Sequence, residues 1–225
     1  MENGHDIRVI KQFDTIAFLQ DTWDHNQQYQ KYLLQNIPQH CKCILDVGCG
    51  TGELTEKLSR YAHEIIAIDV SNNMVQEAQK RNAHEKVTYI NIAAEKYLEE
   101  TDKRFDVIIS VAALHHMNEE RILEAMKAKL TKKGKIVILD LVKNETVVEY
   151  VLSILATVVN PIIRFIMRGR IGIPKEEREA WAGHFQYDTY LTIKEVKKIV
   201  TRALGKGKIK RHFFWRYSIV YNQGA

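Results

Sequence analysis

The chain has 225 residues, enough for one ordinary domain with a sizeable core, and at 45% apolar and 27% charged it is globular, not disordered. Three clustered cysteines, Cys41, Cys43 and Cys49, argue against a disulfide framework and for a reducing, cytoplasmic compartment. The net charge of +5 is uneven: nine Lys and Arg against one Glu after Leu191 give +8, and the rest sums to −3. Such a patch admits nucleic acid, an anionic membrane or an acidic small substrate, and its sign alone does not choose among them. The opening Met1 to Asp6 lacks the basic-then-apolar order of a signal peptide.

In chain order, Phe13 to Ile37 is the first predicted helical region, with Trp23, Tyr29, Tyr32 and Leu33 at stripe spacing and Pro38 as its stop. Cys41-x-Cys43 beside His40 has no matching ligand pair at zinc spacing, so no metal is expected. A strand over Cys43–Val47 runs into a glycine turn, then a helix over Leu54–Tyr61 and a strand over Glu64–Asp69. Ser71 reads as the N-cap of a helix over Asn72–Asn82, followed by a strand at Val87–Asn91 and a loop at Ile92–Glu95. Phe105–Val111 is a near-continuous apolar strand of the kind covered on both faces. A helix over Asn118–Leu130 and a strand over Lys135–Leu141 complete five strand–helix alternations, which predicts a doubly wound parallel sheet.

The alternation then stops. Residues 144–190 are expected to be a helical insertion or lid within a single domain spanning 1–225. Its apolar part is predicted as two short helices broken at Asn160-Pro161, too interrupted for a membrane span. Val147 to Met167 is expected to wall the substrate pocket, with a dimer surface, peripheral membrane contact and plain packing as alternatives. Thr192–Leu204 is the last helix, and Lys208–Tyr221 reads as an antiparallel hairpin turning near Phe214-Trp215.

The informative stretch is Ile44-Leu45-Asp46-Val47-Gly48-Cys49-Gly50-Thr51-Gly52-Glu53. Alternate glycines are costly unless the backbone turns sharply or lies against a ligand, and a turn at the carboxyl end of a parallel strand is where such sheets hold cofactors. Asp69 ends the neighbouring strand, within reach of a ribose diol. A dinucleotide fingerprint needs a third glycine where Glu53 stands, and no Gly-Lys-Ser/Thr follows for triphosphate binding. The run resembles motif I of the class I S-adenosylmethionine-dependent methyltransferases, in the menaquinone/ubiquinone-type and natural-product tailoring branch that acts on small molecules.

That resemblance covers about Phe13 to Leu141, and the hairpin more loosely. It implies a Rossmann-like doubly wound sheet of about seven strands, mostly parallel with an antiparallel C-terminal hairpin, and helices on both faces. It also implies S-adenosyl-L-methionine as cofactor. Gly48, Cys49 and Gly50 would then face its methionine part, with Asp46 orienting the amino group or the turn. Asp69 would accept from the ribose hydroxyls, with Val70, Ser71 and Met74 flanking the adenine. Ala94 and Glu95 would recognise the adenine edge, and Val111 would close the crevice.

The exit of the fourth strand, Ser110-Val111-Ala112-Ala113-Leu114-His115-His116-Met117, lacks the Asn/Asp-Pro-Pro-aromatic signature of many amino-methylating enzymes on nucleic acid or protein, which argues against nucleic acid as partner. His116 is the candidate general base, with Tyr29 and His184 as further catalytic candidates. His115, Tyr187, Arg211 and Arg216 are the candidate contacts to a small, lipophilic, aromatic or anionic methyl acceptor. The histidines, aromatics and cations among them also have purely structural readings. Two other functions are carried alongside: methyl transfer to RNA or protein, and a cofactor-binding module without catalysis. A monomer and a homodimer are both compatible with the sequence.

Overall fold

The computed structural model describes residues 4–18, 25–168, 175, 178 and 189–224. Helix α1 spans Gly4–Ile16, a 3-10 turn spans His25–Tyr29, and α2 spans Gln30–Gln35. There follow β1 Cys41–Val47, α3 Glu53–Leu58, β2 Ala62–Asp69, α4 Asn72–Arg81, β3 Val87–Asn91, α5 Ala94–Glu100 and β4 Phe105–Val111. After a 3-10 turn at Leu114–His116 come α6 Glu119–Ala128, β5 Leu130–Leu141, α7 Val147–Arg168, α8 Ile193–Leu204, β6 Lys208–His212 and β7 Arg216–Asn222.

The seven strands form one sheet in the order β3-β2-β1-β4-β5-β7-β6. The first five run parallel, whereas β7 lies antiparallel between β5 and β6, with Leu141 opposite Arg216. Helices cover both faces. One face packs Leu98 of α5, Ile122 and Met126 of α6 and Val196 and Val200 of α8 on Leu45, Ile66, Ile108 and Ile138. The other packs Leu33 and Leu58 of α2 and α3 on Ile44, Ile65, Ile109 and Val137, with Val75 and Ala78 of α4 beside Ala67. Each fully buried Leu or Ile contributes about 1.5–3 kcal/mol. The strand order reverses between β1 and β4, and the crevice opens at the carboxyl ends of that pair.

Four sequence expectations are corrected. The first helical region is not continuous: α1 ends at Ile16 and helix resumes only at His25–Tyr29 and α2, while Trp23 lies outside the described residues. Residues 94–95 are not loop but the start of α5, whose Leu98 is buried. Strand β5 begins at Leu130, five residues early, because Leu130 pairs with Phe105 across an irregularity. Gly134 permits this, since a Cβ there would lie 2.9 Å from both Leu130 and the Phe105 carbonyl.

The fourth correction is α7, one helix with Pro161 inside it where two were expected. Proline removes one backbone donor and crowds the carbonyl four residues back, and β-branched Val, Ile and Thr add little helix propensity, yet the helix runs through the proline. Pro161→Ala should therefore stabilise the protein, by roughly 1–3 kcal/mol. The check is a chemical-denaturation midpoint, and an unchanged or lowered value would mean that the proline relieves strain elsewhere.

Candidate active site

A cavity of about 280 Å³ lies over the carboxyl ends of β1, β2 and β4. Asp46, Gly48, Cys49 and Gly50 form its floor, Asp69, Val70, Met74 and Ala94 one wall, and Val111, Ala112, Ala113 and His116 the other. Phe13 and Ile16 of α1 overhang it. Among the described residues, α7 contributes nothing to the lining.

The floor is built by the glycine turn. Gly48 has φ +71°, and a Cβ there would meet the Ala113 Cβ at 2.4 Å, so the turn presses against the exit of β4. Gly50 has φ +53° with nothing within 4 Å of a built Cβ, so its backbone looks into open cavity. The Gly50 N–H donates to Asp69 Oδ2 at 2.9 Å, and the Ser71 N–H donates to Asp69 Oδ1 at 2.9 Å. Burial raises the Asp69 carboxyl above its ordinary range, opposed by those two amides.

Asp46 is buried at the end of β1 and accepts the Thr55 hydroxyl at 2.6 Å, which fixes the start of α3. Burial pushes its carboxyl up to about 6, with the Thr55 hydroxyl pulling the other way. Burial and the two carboxylates also hold the Cys49 thiol well above its usual range, so it stays protonated and is a poor nucleophile.

Ser71 is the N-cap of α4, accepting the Met74 N–H at 3.1 Å, and its hydroxyl donates to Asp14 at 2.6 Å. That bond, with Ile16, Ala17 and Met74 packed together, holds α1 over the cavity. At the other wall, His115 donates its N–H to Asp140 at 2.8 Å and sets its ring Nδ1 2.6 Å from the same carboxylate. The His115 and His116 rings lie 3.9 Å apart, and Phe13 meets His116 edge-on at 5.3 Å. A buried carboxylate thus fixes one imidazole, which packs against the imidazole that faces the cavity.

Of the predicted cofactor residues, Asp46, Gly48, Cys49, Gly50, Asp69, Val70, Met74, Ala94 and Val111 line this cavity; Ser71 and Glu95 stand behind it. His116 lines it, whereas His115 does not. Tyr29 instead donates its hydroxyl to the Phe213 carbonyl at 2.5 Å, and burial raises its pKa. Arg216 is buried on Asn26 and the Phe214 carbonyl. Arg211 holds Asn144 at 2.7 Å and Glu149 at 3.5 Å. His184 and Tyr187 lie outside the described residues.

The cavity also has lining residues that sequence reasoning passed over, Asn26, Gln27 and Gln30, beside Ala112 of the strand-four exit. Gln27 reaches Glu53 of α3 at 3.0 Å. Polar side chains beside the predicted aromatic stripe were the available signal. Ala112 has φ +52°, a conformation that side chains other than glycine rarely adopt and that concentrates at functional sites.

Comparison with known proteins shows what the chain is similar to. Residues 44–134 match the methyltransferase domain family. An uncharacterized methyltransferase of Mycobacterium tuberculosis is 33% identical over 99 residues, covering 44% of this chain and 50% of the relative, so the chain spans about half the length of that relative. A ubiquinone biosynthesis O-methyltransferase of Pelagibacter ubique is 25% identical over 173 residues, 68% of this chain and 71% of the relative. The fold resembles the N-methyltransferase NodS of Bradyrhizobium japonicum solved with S-adenosylhomocysteine, with a TM-score of 0.67, 12% identity, and coverage of 97% of this chain and 100% of that one.

The Asp46 shift makes a prediction. Its native carboxyl takes up a proton near pH 6, while an unfolded Asp stays ionised to about 4. The native state thus binds the extra proton between those values, so this site destabilises the fold at neutral pH and the loss is relieved as pH falls through 6. Asp46→Asn, which still offers an acceptor to Thr55, should be more stable than the parent at pH 7.5. Melting temperatures measured down to pH 4.5 should converge, and a constant gap would refute the shift.

The glycine turn and its Asp69 partner lie on this sheet within residues 44–134, the stretch that matches the methyltransferase domain family.

Proposed function

We propose that the protein transfers a methyl group from S-adenosyl-L-methionine to a small-molecule acceptor. The observation that carries this is the joined Gly50–Asp69 pair at the floor of the cavity. It offers a backbone that a ligand can approach closely, beside a carboxylate with lone pairs left for hydroxyl donors. Two acids, Asp46 and Asp69, give the cavity the sign that suits a cationic ligand, and Met74, Val70 and Ile92 give it an apolar slot. When bound, the cofactor supplies an activated methyl carbon on a sulfonium. The chain has to orient the acceptor, exclude water and remove a proton where one must leave.

His116 is the candidate for that last task. Its ring faces the cavity, backed by His115 and through it by Asp140. An imidazole accepts a proton near neutral pH. This suits a hydroxyl acceptor, which must lose a proton, better than an amine that is already neutral. The overhang of Phe13 and Ile16 favours a small acceptor over an RNA or protein strand. Arg211 and Arg216 are each engaged with neighbours, so the anionic-acceptor reading rests on their charge alone.

Calorimetric titration with S-adenosylhomocysteine tests the cofactor reading. The parent protein should bind, and Asp69→Ala should lose about 1.5–3 kcal/mol, the scale for removing a charged hydrogen-bonding partner. Gly50→Val should abolish binding while circular dichroism stays native, because a β-branched side chain resists φ +53° and fills the open floor. Unchanged affinity in a folded Asp69→Ala protein would sink the assignment.

Turnover against a panel of small hydroxyl and amine compounds then separates an enzyme from a binding module. His116→Gln should lower turnover of a hydroxyl acceptor by about 10²–10⁴-fold with cofactor affinity kept. Full activity in that variant would remove His116 from the proton transfer.

A further inference from the structure

Helix α7 sits the wrong way round for a helix that packs on its own domain. Its small and polar residues face inward: Ala156 is buried, Glu149 meets Arg211 at 3.5 Å, and Ser153 accepts from Asn144 at 2.6 Å. Arg211 of β6 also donates to Asn144 at 2.7 Å, so one polar network fixes the helix's rotation. Among the described side chains, seven large apolar ones face out. Val147 is 80% exposed, Ile154 65% and Phe165 54%, and Tyr150, Val151, Leu155 and Ile162 are each more than half exposed. Rolling the helix to bury them would break the Glu149, Ser153 and Asn144 contacts together.

At roughly 150–200 Å² per large side chain, these seven residues leave on the order of 700 Å² of apolar surface in solvent. That exceeds the ~300–600 Å² of the largest patch on a typical monomer. It is close to the ~800 Å² that each partner contributes to a standard protein interface. The spacing suits another helix: Val147 and Ile154 are seven residues apart and Val151 and Phe165 fourteen, the 3.5-residue period of a helix seam.

Charge disfavours a bilayer, and symmetry favours a second copy. The sequence puts Glu145 and Glu149 at the start of this segment and Arg164 and Arg168 at its end, with no lysine from Val147 to Arg168. A helix that lies on an anionic bilayer carries cations along its polar face, which here holds Glu149 and is already bound to the hairpin. An antiparallel copy of the same helix opposes the two dipoles favourably, and it need not neutralise the acidic start, where Lys194 meets Glu145 and Arg211 meets Glu149. A two-fold axis near the middle of the helix makes the patch its own complement.

We propose that α7 is a self-association surface through which two copies of this chain pair antiparallel. The proposal is independent of the reaction assigned to the cavity. Analytical ultracentrifugation of the full chain should show a dimer at micromolar concentration. Ile154→Glu and Phe165→Glu should each raise its dissociation constant at least about 100-fold, as for the loss of a central anchor, with native far-UV circular dichroism. Mixed Val147→Cys and Phe165→Cys proteins should form the cross-chain disulfide under mild oxidation. A chain that stays monomeric at about 100 µM, where a standard-size interface would be populated, would overturn the proposal. So would a dimer indifferent to both glutamates, a disulfide formed preferentially between two Val147→Cys chains, or a monomer that binds anionic vesicles through Ile154.

Discussion

The hydrogen bond from Gly50 N–H to the Asp69 carboxylate is the contact on which the site depends. It ties the turn after β1 to the end of β2, the strand that runs beside it. The same carboxylate takes the Ser71 N–H, and Ser71 both caps α4 and holds Asp14 of α1. Floor, wall and overhang are therefore joined through one side chain. A backbone amide can serve here only because the turn has positive φ at Gly48 and Gly50, which aims the peptide plane across the sheet edge.

Such a site is assembled at a cost in stability. Asp46 and Asp69 are both held above their ordinary ionisation range by burial, and Ala112 sits in a conformation that glycine would adopt more easily. Each of these strains faces the same cavity. The two-sided core supplies what offsets them, since β1, β4 and β5 are covered on both faces. Charge buried without a counter-ion is tolerable where a cationic ligand is due to arrive, and wasteful elsewhere.

How far the sequence could be read follows from the range of the interactions. Strands β3 and β4 match their expected limits because short segments rich in β-branched and aromatic residues, such as Val87–Ile90 and Val107–Ile109, are a local signal. The Ser71 cap and the hairpin turn, with Phe214 and Trp215 both at φ 55°, were local as well. Helix α5 was missed because Ala93 offers no capping side chain. The continuity of α7 was missed because proline chemistry pointed the other way. On the cofactor side the motif is backbone geometry within one turn, so most expected residues line the cavity. At the exit of β4 and on the hairpin the determinants are distant: the placement of His115 is set by Asp140, 25 residues on. Tyr29 and Arg216 turn to partners 184 and 190 residues away, and no local pattern encodes that.

Those long contacts bear on how the protein is made. The Tyr29 hydroxyl on the Phe213 carbonyl, Tyr32 against Ser218 at 3.0 Å and Arg216 on Asn26 all clasp the segment of residues 26–32 to the closing hairpin. Asn26, Gln27 and Gln30 in that segment line the cavity. During synthesis the five parallel strands leave the ribosome before β7, the strand that must slot between β5 and β6. A nascent chain can thus form its glycine turn and still lack a finished rim, because contacts of such high order wait for the hairpin. The mouth of the cavity forms later than its floor, and its geometry comes into being only once the β6–β7 hairpin has docked.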